Sequence, residues 1–249
     1  MNYMESTNIN TKCPICDKIV NFVSDDDYWS CRDGLRSSQC PNGNCVTRER
    51  AIGEVLFDLF QPDALRNLAV YECSPVMRGL SLWLRNNCMN YNPTGFFPAS
   101  QFGTFVKGIR NENLENLTLE DDSVDIWLHL DVLEHLFNPF VALKEIYRTL
   151  KPGGVCIFTA PTYPERIKSE QVAWLLPDGE LKIIGKEEYH GNPQNPDEGA
   201  LVTWRYGYDL PLLIQRETGF DVEVRRWQSR EIAVMGRMTE VYICKIPAI

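Results

Sequence analysis

The stretch at residues 114–161, LENLTLEDDSVDIWLHLDVLEHLFNPFVALKEIYRTLKPGGVCIFTAP, decides the fold of this 249-residue chain. Within it, the apolar run at 124–130 predicts a buried strand, and residues 139–150 have the apolar period of a helix that Asn138 is expected to cap. The Lys-Pro-Gly-Gly run that follows should end the helix and turn the chain into a strand at 155–158. A strand, a helix and a strand with short connections predict a parallel sheet covered by helices.

The same alternation extends to both sides of this stretch. The other predicted helices are residues 48–60, 76–86 and 209–218, and the other predicted strands are 67–72, 221–227 and 240–246. Residues 161–207 interrupt the rhythm with prolines and polar residues, which is typical of a lid or a binding loop. We therefore predict an α/β domain at 48–249. It should be a Rossmann-like, mostly parallel sheet with helices on both faces and a lid-like insertion at about 161–207.

The composition excludes several classes of protein. The chain is 44% apolar and 24% charged, with a net charge of −9. That charge repels phosphate backbones, so no general nucleic-acid binding is expected. No apolar run approaches the roughly 20 residues of a membrane span. The first residues lack the basic-then-apolar order of a signal peptide, so we expect a cytoplasmic protein. The oligomeric state is left open.

The cysteines are concentrated near the start of the chain, where five of the nine fall within the first 45 residues. Cys13 and Cys16 form one Cys-x-x-Cys knuckle, and Cys40 and Cys45 form a second, longer one. Two such knuckles can give Zn²⁺ four thiolates, so residues 1–47 predict a small zinc-ribbon-like module with a structural ion. Cys31 could replace Cys45 as the fourth ligand, and unliganded thiols on a flexible tail are the alternative.

Several phrases of the sequence point to one family when they are taken together. They are SVDIWLHLDVLEH, NPFVALKEIYRTLKPGG and FTAP in the central stretch, with RERA at 48–51, YECSP at 71–75 and EYHGNP at 188–193 outside it. This combination resembles class I S-adenosylmethionine-dependent methyltransferases of the type 11 kind, over about residues 48–246. The resemblance implies a Rossmann-like fold, S-adenosylmethionine as the methyl donor and enzymatic methyl transfer.

The resemblance also implies where the methyl donor binds. Glu72 matches the acidic residue after the first strand of the domain, where it could accept from the donor's ammonium, and Ser74 and Gly79 would line the loop that follows. This loop departs from the usual acidic-x-Gly-x-Gly pattern. Asn113 and Leu114 match the adenine end, and Leu130 ends the strand beside it.

A second departure from the family pattern concerns the ribose of the donor. No carboxylate stands at residues 91–95, where the family has an acid that binds the ribose hydroxyls. Asn92 and Thr94 are the polar alternatives in this segment. In either case the donor would lie beyond the carboxyl ends of the strands.

Asp131, Glu134 and His135 have the spacing of one helix face. Three interpretations stay open: a divalent-metal site for Mg²⁺ or Mn²⁺, a general base in His135 that deprotonates the acceptor, or a helix cap without chemistry. His129, inside an apolar strand, is expected to be a hydrogen-bonded core or cofactor-loop residue.

His190 lies in the insertion and is the second candidate for the general base. If the insertion covers a site, then Tyr163, Asn192 and Trp204 are candidate substrate contacts; otherwise the segment is a polar loop held by its own turns.

The sequence therefore predicts a methyltransferase that acts on a small-molecule acceptor, by O-methylation of a sugar or a sugar-linked intermediate. Two alternatives are a non-catalytic methyltransferase-like binding protein and an enzyme whose RNA or protein substrate is presented by the ribbon. The predicted cofactors are S-adenosylmethionine and structural zinc, with magnesium at Asp131, Glu134 and His135 as a further option.

Overall fold

The computed structural model describes residues 7–24, 33–192 and 197–247. Cys31 lies outside these residues, as does Pro193 of the EYHGNP phrase. The elements in chain order are β1 Thr7–Lys12, β2 Ile19–Ser24, α1 Thr47–Leu59, α2 Pro62–Leu65, β3 Val70–Cys73, α3 Gly79–Asn87, β4 Tyr91–Gly95, β5 Phe105–Val106, β6 Ile109–Asn111, β7 Val124–Leu130, a 3₁₀ turn Leu133–His135, α4 Pro139–Thr149, β8 Leu150–Thr159, β9 Glu170–Gln171, β10 Ala173–Leu175, β11 Leu181–Ile183, β12 Tyr189–His190, β13 Ala200–Leu201, β14 Trp204–Arg205, α5 Leu210–Thr218, β15 Asp221–Arg225 and β16 Val241–Lys245.

An eight-stranded sheet in the order β15-β16-β8-β7-β3-β4-β6-β5 forms the centre of the fold. The pairs from β8 through β7, β3 and β4 to β6 are parallel, and the strands at the two edges are antiparallel. The middle strands β7 and β8 are almost entirely buried, as their continuous apolar runs require. The predicted mostly parallel sheet is confirmed.

Helices cover both faces of this sheet. On one face, α1 and α3 contribute Ile52, Leu56, Leu80 and Leu84 to an apolar cluster with the sheet residue Ile126. On the other face, α4 and α5 contribute residues such as Leu143, Ile146 and Ile214 to a second cluster. The predicted α/β architecture with helices on both faces is therefore confirmed as well.

The N-terminal segment packs against the first of these faces. Its strands β1 and β2 pair antiparallel, and the first cysteine knuckle connects them. Ile15, Phe22 and Leu35 belong to the same apolar cluster as helix α1 and the sheet. The buried Arg50 of α1 joins the parts, since its guanidinium donates to the carbonyls of Cys45 and, at 3.0 Å, Leu35.

Three local predictions need correction. The Lys-Pro-Gly-Gly run does not separate helix and strand: β8 begins at Leu150, and the run forms an irregularity where the pairing shifts between Val124 and Ile126. Asn138 is the N-cap residue of α4, but its side chain makes no capping hydrogen bond, and its Nδ2 instead donates to Glu115 Oε2 at 2.8 Å. Helix α3 begins at Gly79, three residues after the predicted start.

The insertion has more order than its sequence indicates. Its short strands form three antiparallel pairs: β10 with β11, β12 with β13, and β9 with β14. Thr203 fixes it to the 3₁₀ turn, because its backbone N–H donates to the carbonyl of Glu134 at 2.8 Å and its hydroxyl to that of Leu136 at 2.6 Å. The buried Tyr206 adds a hydroxyl donated to the carbonyl of Leu133 at 2.8 Å.

Among residues 7–24, 33–192 and 197–247, every helix is too short or too polar to span a bilayer.

Candidate active site

A cavity of about 1040 Å³ lies where the central parallel strands end and the insertion covers them. Its floor is formed by residues that follow β3, β6 and β7, and its far wall by residues of the insertion. This is the edge of an open α/β sheet at which ligands bind. The volume lies at the upper end of small-molecule sites and can hold two ligands side by side.

Glu72 is buried at one end of this cavity, at the end of β3. Its Oε1 accepts from Ser81 Oγ at 2.7 Å and its Oε2 from Tyr91 Oη at 2.6 Å. Both donors are neutral, so burial dominates and raises the pKa of Glu72 to about 7, with the nearby Glu49 adding to the rise. A buried carboxylate without a fixed cation is chemically suited to a ligand's ammonium.

Glu49 of helix α1 is a second buried carboxylate in the same wall. Its Oε2 accepts from the backbone N–H of Val46 at 2.9 Å, and its Oε1 pairs with Arg78 Nε at 3.0 Å. Burial raises its pKa despite that pairing. Gly79 lies behind Glu49 rather than on the cavity surface, and its N–H donates to the carbonyl of Asn42 at 2.6 Å. Gly79 therefore does not line the cavity as predicted, and it acts on the cavity only by leaving room for Glu49.

Two non-glycine residues adopt the left-handed backbone conformation at the ends of the central strands. Ser74 follows β3 with φ +53°, and Asp131 follows β7 with φ +54°. Both line the cavity. Such backbone strain, of order 1–2 kcal/mol per residue, tends to occur at functional sites. Ser74 stands where the resemblance leads one to expect a glycine, and it adopts a backbone conformation that glycine favours.

The N-terminal segment reaches this end of the cavity through a charged pair. Arg48 contacts the carboxylate of Asp33 and lies 3.3 Å from Asp131 Oδ2. Arg48, Asp33 and Asp131 all line the cavity. The predicted cysteine-rich module therefore contributes a side chain to the wall.

The residues predicted for the adenine end come together. Asn113, Leu114 and Leu130 line the cavity beside Glu112. The carboxylate of Glu112 is already bonded, to Arg110 Nε at 2.7 Å and to Thr118 Oγ1 at 2.6 Å, so it fixes the local backbone. The ribose alternatives, Asn92 and Thr94, are not among the lining residues.

Another part of the cavity wall, called the acceptor end here, contains the predicted acceptor residues His135, His190, Tyr163 and Asn192. Glu188 contacts two of them: its Oε1 accepts from Tyr163 Oη at 3.0 Å and lies 3.3 Å from His190 Nε2. Its Oε2 accepts from Arg205 Nε at 3.2 Å. The two imidazole rings are edge-on, with their centroids 5.2 Å apart.

The predicted grouping of Asp131 with Glu134 and His135 is wrong. Only Leu133–His135 forms a 3₁₀ turn, and Asp131 precedes it in the left-handed conformation. Asp131 Oδ1 accepts from Thr159 Oγ1 at 2.8 Å, on the side of the donor end. The third side chain that joins Glu134 and His135 is His190, and potential ligand atoms of these three lie within 4.8 Å of one another.

Two further predictions differ from the structure. Trp204 is not among the lining residues. Its ring stacks on Tyr206 and meets Phe140 edge-on, so it packs the insertion against helix α4. His129 is buried in β7 against the ring of Phe158, at a centroid distance of 4.4 Å. Neither of its ring nitrogens has a hydrogen-bond partner among the described residues, and burial lowers its pKa to about 3.

The four predicted zinc ligands form one cluster. The sulfur atoms of Cys13, Cys16, Cys40 and Cys45 all lie within 4.8 Å of one another, and those of Cys16 and Cys45 are 3.5 Å apart. Tetrahedral Zn–S bonds of about 2.3 Å require sulfur separations of roughly 3.8 Å. The donor set and its size therefore fit a zinc ion.

Comparisons with known proteins agree with this geometry. Residues 94–158, which run from the last two residues of β4 through most of β8, match the model of the methyltransferase domain family Methyltransf_11. A Mycolicibacterium smegmatis protein named as a probable S-adenosylmethionine-dependent methyltransferase is 42% identical over 53 residues. The resemblance to class I methyltransferases is confirmed. That match covers 21% of this chain and 21% of the relative, so it concerns this stretch alone.

Solved structures extend the likeness to most of the chain at the level of the fold. One is a chain of the complex between the Haloferax volcanii Trm112 methyltransferase activator and a protein described as a methyltransferase. It is 16% identical with a TM-score of 0.50, over 81% of this chain and 91% of that one. A methyltransferase from Mesorhizobium loti is 15% identical with a TM-score of 0.48, over 78% and 97%. At an identity of 16%, the first likeness supports the methyltransferase fold and not a substrate.

Three residues of the cavity wall were not predicted as site residues from the sequence: Glu49, Asp33 and Glu188. Glu49 belongs to the RERA phrase, which was recognised as a signature but had no role. Glu188 begins the EYHGNP phrase. A signal for both existed in the sequence, whereas nothing in the sequence pairs Asp33 with a residue of the domain.

Proposed function

We propose that this chain is an S-adenosylmethionine-dependent methyltransferase whose donor and acceptor bind at opposite ends of the same cavity. The observation that carries the proposal is the buried carboxylate of Glu72 near the strand ends, whose hydrogen-bond donors among the described residues are the neutral Ser81 and Tyr91, in a chain whose central stretch matches a methyltransferase domain. The donor's ammonium would bind near Glu72 and Glu49, and its adenine beside Asn113, Leu114 and Leu130.

The chemistry of methyl transfer demands little from the protein. The sulfonium–methyl bond breaks as the bond from the acceptor's oxygen to the methyl carbon forms, and the acceptor's proton leaves. Because the sulfonium is an activated donor, alignment of the reacting atoms supplies much of the rate. His135 and His190 are the two candidates for the group that takes the proton.

The acceptor we favour is a small molecule with hydroxyl groups, such as a sugar or a sugar-linked intermediate. Support comes from the acceptor end, where Tyr163, Glu188, His190 and Asn192 offer hydrogen-bonding groups in an enclosed wall. The net charge of −9 disfavours a polyanionic acceptor. A protein or RNA acceptor presented by the N-terminal segment is the alternative, and it predicts turnover with macromolecules only.

The cysteine cluster is proposed to hold one structural zinc ion. Four thiolates would occupy all its coordination positions, so the ion would stabilise the fold without a catalytic role. The described cysteines are all free thiols, which suits the reducing cytoplasm that we expect for this protein.

Titration calorimetry with S-adenosylmethionine and with S-adenosylhomocysteine tests the donor site. We expect one site for each ligand, and an affinity at least tenfold lower in Glu72→Gln because a charge-assisted contact is lost. Glu120→Gln, at an exposed acid that is not among the residues lining the cavity, is the matched control. Absence of binding in the wild type would favour the non-catalytic alternative. Tritiated methyl transfer to a panel of saccharides and nucleotide sugars then tests the acceptor.

A further inference from the structure

The carboxylate of Glu134 is buried beside two histidines, His135 and His190. It is 1% exposed, and neither of its carboxylate oxygens has a hydrogen-bond partner among the described residues. Its Oε1 lies 3.7 Å from His135 Nε2 and 3.7 Å from His190 Nδ1. A buried carboxylate without partners is costly, so its position requires compensation.

The tautomers of the two histidines are fixed by contacts on their far sides. His135 Nδ1 lies 2.8 Å from the carbonyl oxygen of Leu201, which can only accept, so this nitrogen carries a hydrogen. His190 Nε2 lies 3.3 Å from the carboxylate of Glu188 and is placed to donate to it. In the neutral rings, the nitrogens that face Glu134 then carry lone pairs. Two lone pairs and one carboxylate therefore converge on the same point, which attracts a cation.

The distances favour an ion over a direct ion pair. A hydrogen bond between an imidazole and Glu134 would need about 2.8 Å, and both separations are 3.7 Å. Ligands at about 2.0–2.2 Å from a shared ion are separated by roughly 3.0–3.5 Å, which is a smaller adjustment. The outer contacts of both rings, to a carbonyl and to a carboxylate, are those that orient histidines on metals.

The geometry points to a divalent-metal site formed by Glu134, His135 and His190, which opens into the acceptor end of the cavity. Two imidazoles and one carboxylate suit Fe²⁺ or Zn²⁺ best, and they suit Mn²⁺ better than Mg²⁺, which prefers oxygen ligands alone. Three protein ligands leave positions open. Because His135 and His190 line the cavity and Glu134 lies behind them, those positions face the acceptor.

An ion at this site would select the acceptor by its oxygens. A hydroxyl group, or two neighbouring hydroxyls of a sugar, would fill the open positions. The ion would lower the pKa of the bound hydroxyl, so that its proton passes to water as the oxygen attacks the methyl group. This part of the inference rests on the proposed methyl transfer, whereas the metal site itself does not. An imidazole that binds an ion has no lone pair for a proton, so the metal site and the two base assignments exclude each other.

Titration of the purified full-length protein with Mn²⁺, followed by the electron paramagnetic resonance signal of the free ion, tests the site without any turnover. We expect one saturable site, weakened at least tenfold in His190→Gln, whose side chain is partly exposed and whose loss should not prevent folding. Glu134→Gln should behave in the same way. Asp131→Asn, which removes the ligand expected from sequence spacing alone, should bind Mn²⁺ like the wild type.

The outcomes of this titration distinguish a failure of the metal site from a failure of the proposed methyltransferase activity. Absence of a saturable site in the wild type, or equal binding by His190→Gln, would overturn the metal site and leave Glu134 paired with a protonated imidazole. Calorimetry with S-adenosylhomocysteine on the same samples reports the donor site independently. Mn²⁺ binding without donor binding would retain the metal site and contradict the methyltransferase activity.

Discussion

The carboxylate of Glu49 fills the space that a side chain at residue 79 would need. A Cβ built on Gly79 would lie 2.6 Å from the carboxyl carbon of Glu49 and closer still to its Oε2. Glu49 cannot move aside cheaply, since Val46 and Arg78 hold its two oxygens. The absence of a side chain at residue 79 therefore allows a buried carboxylate to reach the donor end of the cavity.

Gly79→Ala is expected to lose donor binding and about 2–4 kcal/mol of stability, because backbone strain at φ +53° adds to displacement of Glu49. Gly108→Ala is the matched control, since its φ is +80° but nothing lies within 4 Å of the added Cβ. The control should lose about 1–2 kcal/mol and keep its affinity. Urea unfolding and calorimetry with S-adenosylhomocysteine measure both; equal affinities in the two variants would contradict the role of Glu49.

Glu72 should make stability depend on pH. Its pKa is about 7 in the folded protein against 4.5 ordinarily, so between these values the folded state binds more protons than the unfolded chain. The free energy of unfolding of the wild type, relative to Glu72→Gln, should therefore fall as the pH rises through this window, by up to roughly 3 kcal/mol. Urea unfolding at pH 5, 6, 7 and 8 provides the test. Parallel curves for the two proteins would show that the carboxylate is ionised throughout.

Loss of one cysteine ligand should destabilise the whole molecule. Cys40→Ser is expected to release zinc and lower Tm by roughly 10 °C, in a single transition, because the cysteines share an apolar cluster with the sheet. Cys88→Ser removes a buried thiol that is not one of the four clustered cysteines, and it should retain the metal. Elemental analysis and calorimetric melting measure the two effects. A separate early transition in Cys40→Ser would indicate an independent module.

Arg50 is expected to resist conservative replacement. Its guanidinium donates to the carbonyls of Cys45, Leu35 and Ala233 and lies 4.2 Å above the ring of Phe22. A lysine cannot reach three carbonyls in different directions, so Arg50→Lys should cost about 2–4 kcal/mol. The exposed Arg85→Lys should change stability by less than about 0.5 kcal/mol. Chemical unfolding of both variants measures the difference, and equal costs would contradict the role assigned to Arg50.

The fold was predictable where local sequence and burial agree. The strand Val124–Leu130 is found at its predicted bounds, because a continuous apolar run between turn residues has one way to be buried. The start of α3 was not predictable, since residues 76–78 have helical periodicity but Arg78 is held extended by its pairing with Glu49. That contact joins residues 29 positions apart, and no local rule encodes it.

The candidate site also has residues that could be predicted from the sequence and residues that could not. Glu72, Leu114 and Leu130 could be placed because they follow strands, and strand ends meet at one edge. The partner of Glu134 could not be deduced from spacing, which indicates Asp131. The insertion brings His190 to the turn instead, through contacts such as those of Thr203, more than 60 residues away along the chain.

The position of Asp33 in the cavity wall limits how this protein can be divided. The change in composition at residues 45–48 resembles a join between two exchangeable parts, yet Arg48 and Arg50 connect across it. A fragment beginning at residue 48 would expose the apolar side of α1 and lose the segment that supplies Asp33. Transplanting the N-terminal segment from a relative would therefore alter affinity for the methyl donor as well as any partner preference. In protein engineering, the N-terminal segment and the domain that follows it should therefore be exchanged together.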